Sequence, residues 1–224
     1  MGQKVHPLGF RLGITQKHQS YWCAKPRLSV LWLQDANFLR EQILKQYSAA
    51  GITSIEIRRR KIGSPLITIE IYAERPNSFS KGDSQNLDQL RDQLLEKLDT
   101  FYRKRNLPNP GKLQMDLHVK PLLNPEIYAT VLAERLVEDL EQRKPYRRAM
   151  RQIVQKALKA GVKGIKVQVS GRLNGADIAR AENVREGPVP LQTLRADIDY
   201  ASRSAKTIFG LLGIKIWVFH GEKL

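Results

Sequence analysis

Between Arg143 and Ala176 the chain carries ten basic residues and no acidic one, yet its apolar residues keep strict period. A block of one sign can fold only if its hydrophobic side chains share one side and its charge takes the other. From Tyr146 to Ala160 the apolar residues Met150, Ile153, Val154, Ala157 and Leu158 recur at helical spacing. At about 100° per residue, Arg148, Arg151 and Lys159 fall opposite them, with Arg147 at the edge. Gly161 predicts the stop. The segment therefore reads as a helix with a core face and a guanidinium rail. Beyond it, Ile165, Val167 and Val169 alternate with Lys166, Gln168 and Ser170, the period of a half-buried strand. A solvated surface intersperses both signs, so a rail without acids points to an anionic ligand.

The remaining pattern predicts an α+β chain. Residues 1–34, with Gly2, Pro7, Gly9, Gly13 and Pro26, read as an irregular N-terminal arm held by Phe10, Trp22 and Trp32. Asp35 is placed as the cap of a helix running to about Ala50. Strands follow at 52–58 and 66–72 around the basic turn Arg58 to Lys61, which fits an RNA contact or a solvated hairpin equally. A short extra helix around Pro76 to Ser80, a helix through Leu87, Leu90, Leu94, Leu98 and Phe101, and a strand at 113–119 complete an α-β-β-α-β unit of the split type seen in RNA-binding modules. Residues 120–224 begin with a helix after Asn124-Pro125 that stops before Pro145. The rail helix and strands at 165–170, 178–186, 194–200 and 214–219 follow, which gives two helices on an antiparallel sheet.

Charge narrows the function. Lys plus Arg number 38 against 22 Asp plus Glu, a net +16 with a pI near 10.1. Residues 1–119 and 120–224 each carry +8, so the excess is not a tail. A polyanionic partner explains that self-repulsion. No apolar run approaches a membrane span, the best being broken by Lys215, and His6 stands where the myristoylation pattern needs Ser or Thr. Cys23 is the single cysteine, which excludes an internal disulfide or a cysteine-based metal knot. Histidines 6, 18, 118 and 220 show no metal-ligand spacing. No Walker or dinucleotide motif occurs, and no catalytic constellation, metal or cofactor is expected. The one arrangement that suggests chemistry is Asp197 and Asp199, i,i+2 on a strand, as in a metal-dependent nuclease; Arg195 on the same face offers them a plain ion-pair partner.

The stretch VSGRLNGADIARAENVREG, residues 169–187, holds Arg172, Arg180 and Arg185 across two strands and a turn. Their forks would follow a phosphate backbone, with Asp177, Glu182 and Glu186 orienting some of them. The alternative is a salt-bridged sheet face.

Several motifs carry a resemblance: MGQKVHPLGFRLG at the start, PYRRAM at 145–150, KGIKVQVSGRLNGADIAR at 163–180, and LRADIDYA at 194–201. With them the chain resembles, over essentially its whole length, the bacterial-type uS3 family of small-subunit ribosomal proteins. The segment GITQKHQSYW is similar to plastid members. The resemblance implies a type II KH domain over 35–119 after the 1–34 arm, and a separate α/β domain over 120–224. It implies rRNA binding, for which Lys4, Arg11, Lys144, Lys159, Lys163, Lys166, Arg172, Arg180 and Arg185 are the candidates. It implies a pore where mRNA enters, lined by Arg147, Arg148 and Arg151, which help separate duplexes. The implied partners are small-subunit rRNA, mRNA and the neighbouring head proteins uS10 and uS14, with no membrane. In place of the Gly-x-x-Gly loop of a KH domain stand Lys81, Gly82, Asp83 and Ser84, so single-strand binding there is expected to be weak or lost. The compartment implied is the plastid stroma, with bacterial cytoplasm as the alternative. The chain opens directly on the motif, so synthesis within its working compartment is expected. A free KH-type mRNA regulator is the competing function.

Overall fold

The computed structural model describes residues 4–47, 50–59, 66–79, 85–104 and 113–223, so Arg60, Lys61 and the Lys81-Gly82-Asp83-Ser84 loop lie outside the described residues. In chain order the elements are α1 (Pro7–Arg11), β1 (Ser20–Tyr21), α2 (Pro26–Gln46), β2 (Ile52–Arg59), β3 (Leu66–Ala73), α3 (Gln85–Lys104) and β4 (Gln114–Pro121). Then come α4 (Ala129–Glu141), α5 (Tyr146–Lys159), β5 (Gly164–Gly171), β6 (Arg180–Glu186), β7 (Ala196–Thr207) and β8 (Gly210–Glu222). They form two compact units: His18–Leu122, and Met1–Lys17 with Leu123–Leu224.

In the unit His18–Leu122 the sheet runs β1-β2-β3-β4, with β1 parallel to β2, β2 antiparallel to β3, and β3 parallel to β4. The arm expected over 1–34 is irregular only in part, since Pro7–Arg11 is helical, Ser20–Tyr21 is a strand and α2 begins at Pro26. Pro26 occupies the first turn of α2, where its missing N–H costs nothing. Trp32, Ala36, Leu39 and Ile43 then make one buried stripe along that helix. Asp35, expected as a cap, sits in mid-helix and is fully buried. Its carboxylate accepts from Arg59 Nη2 at 2.7 Å and from the Tyr102 hydroxyl at 2.5 Å, and the Arg59 guanidinium lies 4.9 Å over the Trp32 ring. Burial first, and then Asp35, push the Tyr102 phenol above its ordinary range. One buried charge pair thus ties α2, β2 and α3 together.

In the second unit β5, β6, β7 and β8 form an antiparallel sheet in the order β6-β5-β8-β7. One face buries Val167, Ile214 and Ile216 against Leu132 and Leu136 of α4 and Met150, Ile153 and Val154 of α5. The β7–β8 hairpin is longer than expected, reaching Thr207 and restarting at Gly210. Its outer half buries Ala201, Ala205 and Leu212, and small side chains between serines leave little alternation to read. Asp199 fixes the start of α4, its Oδ2 accepting from Ala129 N at 2.7 Å and its Oδ1 from Tyr200 N at 2.8 Å.

Candidate nucleic-acid interface

The rail exists as the periodicity requires. α5 turns Tyr146, Ala149, Met150, Ile153, Val154 and Ala157 into the core and leaves Arg147, Arg148, Arg151, Lys156 and Lys159 exposed. Arg147 is held: its Nε donates to the Tyr146 hydroxyl at 3.0 Å and its Nη2 stands 3.5 Å from Glu182. The same hydroxyl donates to Glu182 Oε1 at 2.8 Å and accepts from Arg180 at 3.3 Å. These bonds hold the Glu182 carboxyl below the ordinary range, the Tyr146 hydrogen bond contributing most, and raise Arg147 chiefly through Glu182. The side chains of Arg148, Arg151, Lys156 and Lys159 have no ion-pair partner among the described residues. Arg147 and Arg151, like charges at i,i+4, repel by about a few tenths of a kcal/mol, a cost that an anionic ligand reverses. Tyr146 as the hub of this cluster went unread in the sequence, where it looks like any core aromatic.

The other candidates divide. Lys4 and Lys163 are exposed, and Lys144 is exposed but paired with Asp139. Lys166 on β5 lies directly opposite Arg185 on β6, with its Nζ 5.0 Å over the Trp217 ring. Partial burial, with Lys4 and Arg185 close by, lowers the Lys166 pKa. Arg172 donates from Nε to Ala176 O at 2.9 Å, stands 3.5 Å from Asp177, and stacks 5.8 Å over Phe209.

Two expectations need correction. Arg172, Arg180 and Arg185 do not line one surface. Arg180 pairs with Glu182 at 3.2 Å and joins Tyr146 on the helix side of the sheet, whereas Arg185 shares the open face with Lys166. Residues five apart on a strand must point to opposite faces. Arg11, expected on rRNA, is fully buried. Its guanidinium donates to the carbonyls of Ala196 (2.8 Å), Leu191 (2.9 Å), Thr193 (2.9 Å), Pro7 (3.1 Å) and Pro190 (3.3 Å). It clips α1 to the chain entering β7 and has no fork left for phosphate.

Asp197 and Asp199 do not converge. A bulge separates Asp197 from Ile198. Asp197 accepts from Gln16 Nε2 at 2.9 Å and pairs with Lys223 at 2.9 Å, whereas Asp199 is spent on the start of α4. Arg195 pairs instead with Glu222 at 2.6 Å. Burial pushes the Asp199 carboxyl up against the lowering effect of its amide donors. Among the described residues no group of three or more His, Cys, Asp or Glu is placed to hold a metal ion.

Comparison with known proteins adds a family. The sequence profile described as ribosomal protein S3, C-terminal domain, matches residues 136–218. The chain is 68% identical to small ribosomal subunit protein uS3c of Chlorella vulgaris over 224 residues, covering 100% of this chain and 97% of that protein. It is 46% identical to uS3c of Mesostigma viride, covering 100% and 99%. With uS3 of a Synechococcus strain it shares 43% identity, covering 100% and 87%.

Proposed function

The chain belongs to the uS3 family of small ribosomal subunit proteins, a structural and non-enzymatic family, and on that premise we propose the task of each surface. The protein acts in a plastid ribosome, as the uS3c names of its relatives suggest. It anchors in the small-subunit head through rRNA, using Lys4, Lys159, Lys163, Lys166, Arg172 and Arg185, beside neighbours such as uS10 and uS14. The unit His18–Leu122 is a KH-type scaffold. In support, its order is α-β-β-α-β from α2 onward, and β4 joins β3 in parallel. Its loop at 81–84 binds single strands weakly.

Arg147, Arg148 and Arg151 face incoming mRNA. The observation that carries this reading is the outward side of α5, where Arg148 and Arg151 are exposed and lack an ion-pair partner among the described residues. As translocation pulls mRNA past, guanidiniums held on a rigid helix stabilise the phosphates of the unpaired strand, which favours separation of a duplex. No nucleotide is consumed by the protein. Arg147 is steered by Tyr146 and Glu182; the other two are free to track a moving backbone.

The test is the triple variant Arg147→Ala, Arg148→Ala, Arg151→Ala. Subunit assembly, read by sedimentation, stays largely intact, and translation through stable mRNA hairpins slows. Unchanged pausing at hairpins would remove these residues from the task. A free mRNA regulator is distinguished by co-sedimentation, since it would not track with small subunits at stoichiometric level.

A further inference from the structure

The open face of the C-terminal sheet, turned away from α4 and α5, can be read residue by residue from the register. Directly paired positions give the row Arg185, Lys166, Trp217, Tyr200. The next row on that face is Asn183, Gln168, Lys215, Ser202, and the third is Ala181, Ser170, Gly213, Ser204. None of the twelve is acidic. Two acids of these strands lie on the other side, where Glu182 meets Tyr146 of α5 and Asp199 meets Ala129 of α4, while Glu222, paired with Ala196 beyond these rows, is taken by Arg195. Over these three rows alternation leaves cations, amides and hydroxyls on one acid-free surface, with Tyr200 half-buried and Trp217 packed in one apolar cluster with Ile198 and Phe219.

That surface also has a recess. α1 and the residues before it form one wall of a cavity of about 760 Å³, with Trp217 and Tyr200 on its floor and Lys4, Lys215, Gln168 and Gln192 around it. Phe10 lines the cavity and is 40% exposed, which leaves ring surface open to a ligand. Tyr200 is braced from the side by His6, ring centres 4.8 Å apart at 90°.

We propose that this face is a second RNA platform, which takes an unstacked single-stranded segment of RNA and seats one base in the recess beside Phe10. The chemistry selects RNA over protein. A ring wall offers stacking, Gln168 and Gln192 offer the donor and acceptor that a base edge requires, and Lys4, Lys166, Lys215 and Arg185 offer charge to adjacent phosphates. An acidic peptide would use the cations but leave the amides and the ring wall without a purpose. The proposal rests on the ribosomal reading and assigns rRNA to this face as well as to Lys159, leaving mRNA to Arg147, Arg148 and Arg151 of α5 on the opposite one.

The experiment uses native small subunits. Ultraviolet crosslinking followed by mass spectrometry maps RNA adducts, and chemical probing compares rRNA in subunits carrying the unaltered chain, Gln168→Ala with Lys215→Ala, or Phe10→Ala. All three residues lie outside the packed core, so the fold survives. The expected result is an RNA adduct on the peptide bearing Phe10, Tyr200 or Trp217. At the same rRNA nucleotides, reactivity rises in both variants, by about tenfold where one stacked base is released. Arg148→Ala with Arg151→Ala leaves those nucleotides unchanged. Co-sedimentation without an adduct or a change in reactivity overturns the platform alone, as does an amine crosslink from Lys215 to a protein neighbour in place of RNA. Failure of the unaltered chain to co-sediment overturns the ribosomal reading and this one together.

Discussion

Arg11 offers the sharpest separation between a residue that binds RNA and one that builds the fold. Its guanidinium is wholly buried and donates to five carbonyls at 2.8–3.3 Å, four of them in the segment 190–196. A hydrogen bond from a charged donor stabilises by about 1.5–3 kcal/mol, the contributions are not additive, and burying the charge costs several kcal/mol. Arg11→Ala should therefore cost about 3–5 kcal/mol, and lower Tm by roughly 10 °C or more for a unit of this size. Arg11→Lys is the informative partner variant. It keeps the positive charge but presents one ammonium with three donors, which cannot reach all five carbonyls. A structural clip predicts that lysine loses about 2 kcal/mol or more. Thermal and urea unfolding of the full chain, followed through tryptophan fluorescence, reads both. If Arg11→Lys unfolds within about 0.5 kcal/mol of the unaltered chain while RNA affinity falls, the residue is a phosphate contact and the clip is wrong.

Two further outcomes follow from the unit His18–Leu122. Asp35→Ala strands the buried Arg59 charge and should destabilise by about 3–5 kcal/mol, whereas Tyr102→Phe removes one donor and should cost about 1–3 kcal/mol; urea midpoints measure both. Glu70, buried beside Lys120 at 2.8 Å, has its carboxyl held below the ordinary range, chiefly by the Lys120 hydrogen bond. A depressed carboxylate stabilises above its unfolded pKa, near 4.3, and loses that contribution as pH falls through the folded value. The stability gap between the unaltered chain and Lys120→Met should therefore be open at neutral pH and close in acid; a gap that persists in acid assigns it to packing.

How much the sequence disclosed depended on the range of the determining contacts. α5 was legible to the residue at its start because its apolar stripe and its rail are local properties, and β5 because Ile165, Val167 and Val169 alternate without interruption. The start of α2 was not, because Pro26 and the tryptophans around it read as a loop until Trp32, Ala36, Leu39 and Ile43 are seen to share a buried stripe. Arg11 could not be read at all, since four of its acceptors lie about 180 residues away in the chain. The division of Arg180 from Arg185 was readable and missed, because strand parity alone requires it. Lys215 was noticed only as an interruption of an apolar run; its place on the acid-free face depends on the β5–β8 register.

The central claim is that exposed cations of the C-terminal unit meet RNA phosphates, and the salt dependence of binding tests it most directly. Affinity of the full chain for an unstructured single-stranded RNA would be measured across a salt series, for the unaltered chain and for Arg148→Ala with Arg151→Ala. Each single-strand phosphate contact contributes about −0.7 to the slope of log affinity against log salt, so removing two should make the slope shallower by about 1.4. Parallel slopes for the two proteins would show that these arginines do not touch phosphate.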